Sequence, residues 1–127
     1  FLVLNQPPTG FQQIVLGISG DATRLVHTAH TRADGVPLIK RFSGGGTVFL
    51  DHNSKLVTLI CNRAALPQVH AAPRSIMQWT ELAYRGVFAN PEFCLREVDY
   101  CFGARKIGGN AQSITRERWL HVSTLSC

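Results

Sequence analysis

The sequence contains no apolar run approaching the length needed for a transmembrane helix, about 20 residues, so no helical membrane span is expected. Its four cysteines, Cys61, Cys94, Cys101 and Cys127, include no Cys-x-x-Cys pair, and no histidine stands in zinc-like register with them. A structural zinc site is therefore not expected, and free thiols suit a reduced compartment, in the cytoplasm or a mitochondrion. Dense Lys/Arg runs and interleaved aromatic stripes are also missing, which argues against a nucleic-acid partner. There is no internal repeat and no low-complexity tract. The opening Phe1-Leu2-Val3-Leu4-Asn5 has neither an initiator Met nor a signal-peptide layout, and reads as the start of a chain cut from something longer.

What is present describes a globular protein. With 127 residues, 45% of them hydrophobic and 17% charged, the chain is expected to form one domain, residues 1–127, with a core of its own. The net charge of +5 and the pI near 9.4 suit anionic small molecules or an acidic protein partner.

Short apolar runs dominate the chain. Phe1–Leu4 reads as an edge strand and Gln13–Gly17 as a second strand. Ser19-Gly20-Asp21 then offers a helix N-cap, with Leu25, Val26, Ala29 and Ala33 near one face and Gly35 and Pro37 as the stop. His27 and His30 lie three apart on this helix but have no third ligand in sight, so no metal site is assigned. Leu38-Ile39 and Thr47–Leu50 predict two strands joined by a glycine turn. Leu56–Cys61, the most apolar strand, should lie inside its sheet. Ser75–Phe88 predicts an amphipathic helix whose stripe is Ile76, Trp79, Ala83 and Val87. Phe93–Val98 alternates as a strand, Asp99–Gly103 reads as a turn, and Ala111–Thr115 with Trp119–Val122 predicts a hairpin tipped by Arg116-Glu117-Arg118. The sum is an α+β fold, a mixed, largely antiparallel β-sheet flanked by helices.

Two stretches carry possible chemistry. In Arg41-Phe42-Ser43-Gly44-Gly45-Gly46-Thr47, three glycines remove the Cβ atoms that would block close approach, and a fixed cation and hydroxyls stand beside exposed N–H groups. Taken alone, this reads as a strand-to-strand hairpin. The second stretch, Lys106-Ile107-Gly108-Gly109-Asn110-Ala111-Gln112, repeats the recipe of one cation beside a glycine turn and amide side chains. Two such loops in a small protein suggest one shared anionic ligand.

Read in order, Arg41-x-Ser43-Gly44-Gly45-Gly46-x-Val48-x-x-Asp51, Arg105-Lys106-Ile107-x-Gly109-x-Ala111-Gln112 and His121-x-x-Thr124-Leu125 resemble the catalytic domain of lipoate-protein ligases. This superfamily also holds octanoyltransferases and biotin protein ligases. The resemblance covers the chain from about Ile14 onward. It implies the class II biotin/lipoate ligase-like fold and an ATP-dependent reaction in which lipoate forms lipoyl-AMP and a lysine of an acceptor domain then displaces AMP. ATP with Mg²⁺ and lipoate would be the small molecules. The partners would be lipoyl carrier domains of 2-oxoacid dehydrogenase complexes or glycine cleavage H protein.

Within that resemblance, Lys106 takes the catalytic role, polarising the mixed anhydride. Arg41, Ser43, Gly44, Gly45, Gly46, Thr47, Gly108, Gly109, Asn110 and Ala111 form the substrate and nucleotide cradle, and Asp99 orients Lys106 or meets Mg²⁺. Val122 stands where the family has a second histidine, and the chain ends before elements the family carries further on. Lys40, Leu50 and Val98 also depart from the common pattern. Two alternatives follow: an acyltransferase with Cys94, Cys101 or Cys127 as nucleophile beside a lysine, or a truncated relative that binds lipoate or its carrier without turnover. Biotin ligation fits less well, because its Gly-Arg-Gly-Arg-type loop is absent.

Overall fold

The computed structural model of the chain describes residues 1–126; Cys127, one of the candidate nucleophiles, lies outside them. The described residues divide into two compact units, Phe1–Asn5 with the chain from Lys55 onward, and Gln6–Ser54.

The larger unit is built on a six-stranded sheet. Its strands are β1 (Leu2–Asn5), β5 (Ser54–Asn62), β6 (Phe93–Arg96), β7 (Asp99–Phe102), β8 (Arg105–Ile114) and β9 (Arg118–Ser126), arranged in the order β1-β5-β9-β8-β7-β6. As expected, Phe1–Leu4 supplies an edge strand, and Leu56–Cys61 lies inside the sheet between β1 and β9. The Asp99–Gly103 stretch is not a turn. Asp99–Phe102 forms β7, closed onto β6 by a two-residue reversal at Glu97-Val98 in which Glu97 takes φ 53°. β8 and β9 pair from Gly108↔Leu125 to Ile114↔Trp119, a longer hairpin than the sequence suggested. Gly108 and Gly109 therefore sit within a strand rather than in an open turn.

One helix packs on this sheet, α3 (Pro73–Phe88), with Pro73 in its first turn, where a missing N–H costs nothing. Its buried residues are Ile76, Met77, Thr80 and Tyr84. The expected stripe is thus rotated: Ala83 and Val87 face solvent, and a Thr and a Tyr take the inward positions. Neither belonged to the expected stripe, yet each buries an apolar body and finds a hydrogen-bond partner. Around them Phe93, Tyr100, Ile107 and Leu125 form one core cluster, with Tyr84 and Tyr100 edge to face at 5.1 Å. A second cluster joins Ile76, Val69 and Trp119. α3 ends at Ala89 in the left-handed region, φ 46°.

The smaller unit is a three-stranded sheet of β2 (Gln12–Leu16), β3 (Leu38–Lys40) and β4 (Val48–Asp51), in the order β3-β2-β4. β3 runs parallel to β2, and β4 antiparallel on its other side. The expected single helix after Asp21 is two short ones, α1 (Ala22–Leu25) and α2 (Thr28–Ala33), because Val26 is extended at φ −139°, ψ 152°. Asp21 does cap the first, accepting from Thr23 N at 3.0 Å. None of the residues in either helix is fully buried, so little packing opposes the break.

Candidate functional site

The glycine stretch is not a hairpin. β3 and β4 do not pair, since both flank β2, so residues 41–47 arch over the C-terminal end of β2. The arch is tied down by Arg41 N donating to Leu16 O at 3.0 Å and Ile18 N donating to Ser43 O at 3.0 Å. The crossing is so close that a Cβ at Gly17 would lie 2.0 Å from Gly45 O. Gly45 itself takes φ 100°, a conformation open to glycine. Over Gly44 and Gly46, by contrast, nothing lies within 4 Å of where a Cβ would be. The chain's own packing does not require glycine at those two positions, and the space above them is free. Within the arch Ser43 is buried, and Thr47 is exposed at its end.

Arg41 is spent on the arch. Its Nη2 donates to Gly44 O and Gly46 O, each at 2.8 Å, and its Nη1 to Val15 O at 3.4 Å. The guanidinium fork thus gathers three backbone carbonyls, a geometry that a lysine head cannot reproduce. Its Nε is buried without a partner, and burial lowers the side chain's pKa from the usual arginine value.

In the larger unit, Lys106 Nζ forms an ion pair with Asp99 Oδ2 at 2.9 Å, with the lysine side chain 60% exposed and the aspartate 31%. The lysine head lies over Gly109, where a Cβ would sit 3.9 Å from Nζ and 3.8 Å from Asp99 Oδ1. Gly108 has a steric reason of its own: a Cβ there would meet Leu125 Cδ2 at 2.6 Å and Thr124 O at 2.8 Å. The β7–β8 ladder is shifted between Tyr100 and Cys101, so that Tyr100 opposes Gly108 and Cys101 opposes Lys106. Ala111 is half-buried opposite Val122.

Beneath this surface runs a buried polar network that sequence reading missed. His121, fully buried, lies 3.0 Å from Ser123 Oγ through Nε2 and 3.0 Å from Gln112 Nε2 through Nδ1. Tyr84 OH donates to Ser123 Oγ at 3.0 Å, and Ser123 Oγ to Asn110 Oδ1 at 3.0 Å. Tyr100 OH bonds Thr80 Oγ1, which also donates back to Ile76 O and Met77 O on α3. Desolvation pushes the His121 pKa down to about 4, so the ring is neutral at pH 7, and it raises the Tyr100 hydroxyl above its usual value. The alternation of His121, Ser123 and Leu125 along β9 was the available signal: one face of that strand is buried and half polar.

The cysteines differ in setting. Cys101 is buried across the ladder from Lys106, and Cys94 is half-buried across from Cys101. Both are free thiols. Among the described residues no three His, Cys, Asp or Glu side chains cluster as a metal site, and no helix is long and apolar enough to cross a membrane.

The lipoyl protein ligase A/B catalytic domain profile matches residues 1–127. Among curated proteins, the chain is 32% identical to a candidate lipoate-protein ligase A of Aeropyrum pernix over 88% of this chain and 41% of that protein. It is 27% identical to a protein of Plasmodium falciparum named an inactive lipoate-protein ligase 2, over 85% and 37%. The chain thus spans about two fifths of the length of these curated relatives. Among solved structures, it superposes on a bipartite lipoate protein ligase from Thermoplasma acidophilum, determined in a study of that ligase and its E2 lipoyl domain. The TM-score is 0.82 at 16% identity, over 98% of this chain and 48% of the other. A T. acidophilum ligase homologue with bound lipoic acid gives 0.80 at 16%, over 98% and 54%. A lipoate-protein ligase A bound with ATP gives 0.79 at 15%, over 98% and 53%. At such identities the superpositions establish the fold, the α+β architecture expected from the motifs. On the full-length profile match, the chain belongs to the lipoyl protein ligase A/B catalytic domain family.

Proposed function

We propose that this chain carries the catalytic core of an ATP-dependent lipoate-protein ligase. The observation that carries the reading is the exposed Lys106 head held by Asp99 over Gly109, in a chain matched throughout by the family profile. Forming lipoyl-AMP requires a carboxylate oxygen to attack the α-phosphorus of ATP, with pyrophosphate leaving; the two anions repel, and a cation must stand between them. Lys106 is available for this. An ion pair this exposed is worth roughly 0–1 kcal/mol, so a phosphate or carboxylate can take the lysine from Asp99 at small cost. Arg41 is not comparably free, because releasing it breaks several charge-assisted bonds worth about 1.5–3 kcal/mol each. Its work is to shape the arch, whose backbone at Gly44 and Gly46 stays open.

In the second half-reaction the lysine amine of a carrier domain attacks the acyl carbonyl and AMP leaves, with Lys106 polarising the carbonyl oxygen. We take the acceptor to be a lipoyl carrier domain of a 2-oxoacid dehydrogenase complex or glycine cleavage H protein, and the setting to be the cytoplasm or a mitochondrion. Mg²⁺ would arrive with ATP, held by phosphates and water with few protein ligands; Asp99 is the nearest carboxylate to Lys106 that could join it.

Lipoate-dependent exchange of labelled pyrophosphate into ATP, lost in Lys106→Ala, is the expected result. Absence of exchange in the unmodified chain sinks the ligase reading for this stretch of sequence. The place of Cys101 opposite Lys106 keeps an acyltransferase as the second reading, although the thiol is only 4% exposed and a nucleophile must be reached. Transfer from an octanoyl carrier without ATP, lost in Cys101→Ser, would establish that alternative instead.

A further inference from the structure

The proton bookkeeping of the buried network is set at Ser123, while His121 Nε2 also lies 3.3 Å from Tyr100 OH and 3.4 Å from Thr80 Oγ1. Ser123 Oγ has a single proton, given to Asn110 Oδ1. It must therefore accept from both of its other neighbours, Tyr84 OH and His121 Nε2. His121 is then the Nε2–H tautomer, and its bare Nδ1 accepts from the Gln112 amide. Every proton in this branch points the same way, from Gln112 and His121 through Ser123 to Asn110.

At its far end, Asn110 Nδ2 donates to Val98 O at 2.9 Å. That carbonyl belongs to the peptide joining Val98 to Asp99, the residue paired with Lys106. The place matters, because backbone pairing between β7 and β8 ends at Tyr100↔Gly108. Beyond it, the Asn110 side chain supplies the cross-strand bond that the ladder no longer provides. The adjoining turn also needs support, since Glu97 sits at φ 53°, a costly conformation for a residue with a side chain.

We propose that Asn110, held in orientation by Ser123 and His121, is a positioning residue that fixes the Asp99 backbone and so sets where Lys106 is presented. This rests on the reading of Lys106 as the reacting cation. A disordered Asp99 would leave Lys106 without its anchor, lowering turnover while leaving lipoate affinity intact.

The test is the rate at which Lys106 is acylated by acetic anhydride at fixed pH, read by mass spectrometry against the other lysines of the intact chain. An ion-paired ammonium must leave its carboxylate and give its proton to solvent before the free amine can attack the anhydride and release acetate, so Asp99→Asn should speed labelling, by up to about fivefold for an exposed pair. Asn110→Ala should speed it in the same direction and add nothing in the Asp99→Asn background. Ser123→Ala, further from the lysine, should give a smaller rise and guards against misfolding of the first variant, with circular dichroism as the check. If Asn110→Ala and Ser123→Ala leave the Lys106 rate unchanged, or if Asn110→Ala raises it equally in both backgrounds, the proposal fails. Pyrophosphate exchange on the same samples separates the two ideas. A labelling response in a chain without exchange keeps the positioning and removes the ligase reading. In a chain with exchange, Asn110→Ala should lower kcat with KM for lipoate unchanged, and a rise in KM alone would overturn the positioning role.

Discussion

Two stretches of this chain follow one recipe, a cation beside glycines, and fold into different devices. Around Arg41 the cation turns inward and binds two carbonyls of its own loop and one of β2. Around Lys106 the cation turns outward, held by one carboxylate, and the glycines lie inside a strand. The difference follows from the head groups. A planar fork with five donors can gather several carbonyls at fixed angles, whereas an ammonium on a flexible stem is a movable point charge. A cation in a motif is thus no measure of a cation free for ligand; its backbone acceptors decide that.

The sharpest way to break the comparison is to remove each cation. Lys106→Ala should lower lipoate-dependent exchange by about a thousandfold, the scale of losing a main electrostatic stabiliser, with the urea midpoint nearly unchanged. Equal loss of stability would show that Lys106 is structural too.

Next in size is a pH effect confined to the buried network. His121 titrates at about 4 when folded, against about 6.5 when unfolded. Above pH 6.5 the ring is neutral in both states; as pH falls, the unfolded chain takes up the proton first. Stability should therefore drop between about pH 6.5 and 4, by about 3 kcal/mol in full. Urea melts across that window should show the slope, and His121→Gln should flatten it.

The Gly108→Ala variant forces a methyl against Leu125 and Thr124 O, at a cost of about 1–3 kcal/mol read by chemical denaturation. Arg41→Lys keeps the charge and loses the fork, and should cost about 2 kcal/mol, the loss of at least one charge-assisted bond. A neutral outcome there would mean that the arch stands without its clamp. Smallest is Ala89→Gly, which relieves a left-handed helix end and should raise stability by about 1 kcal/mol.

The sequence showed well where local physics decides. Short β-branched runs became strands, Asp21 capped its helix, and Phe1–Leu4 lay at a sheet edge. It misled where partners far along the chain decide. The arch over β2 looks like a hairpin until the strand order is known, because the same glycines serve either path. Gly108 and Gly109 look like a turn, yet one meets Leu125 and the other lies beneath Lys106. Thr80 and Tyr84 stood outside the expected stripe, since nothing local reveals that Tyr100 and Ser123 wait to bond them. Val26 broke a helix whose apolar spacing was adequate but whose burial was too slight to sustain it.

Gly17 draws no notice in the sequence: a lone glycine after an apolar strand. Yet its missing side chain is the space through which Gly45 passes. Positions 17 and 45 are therefore coupled, and any side chain at 17 would require the loop to take a different route. Residue 17 thus reports the path of the backbone, where the glycine run reports only the composition of a turn.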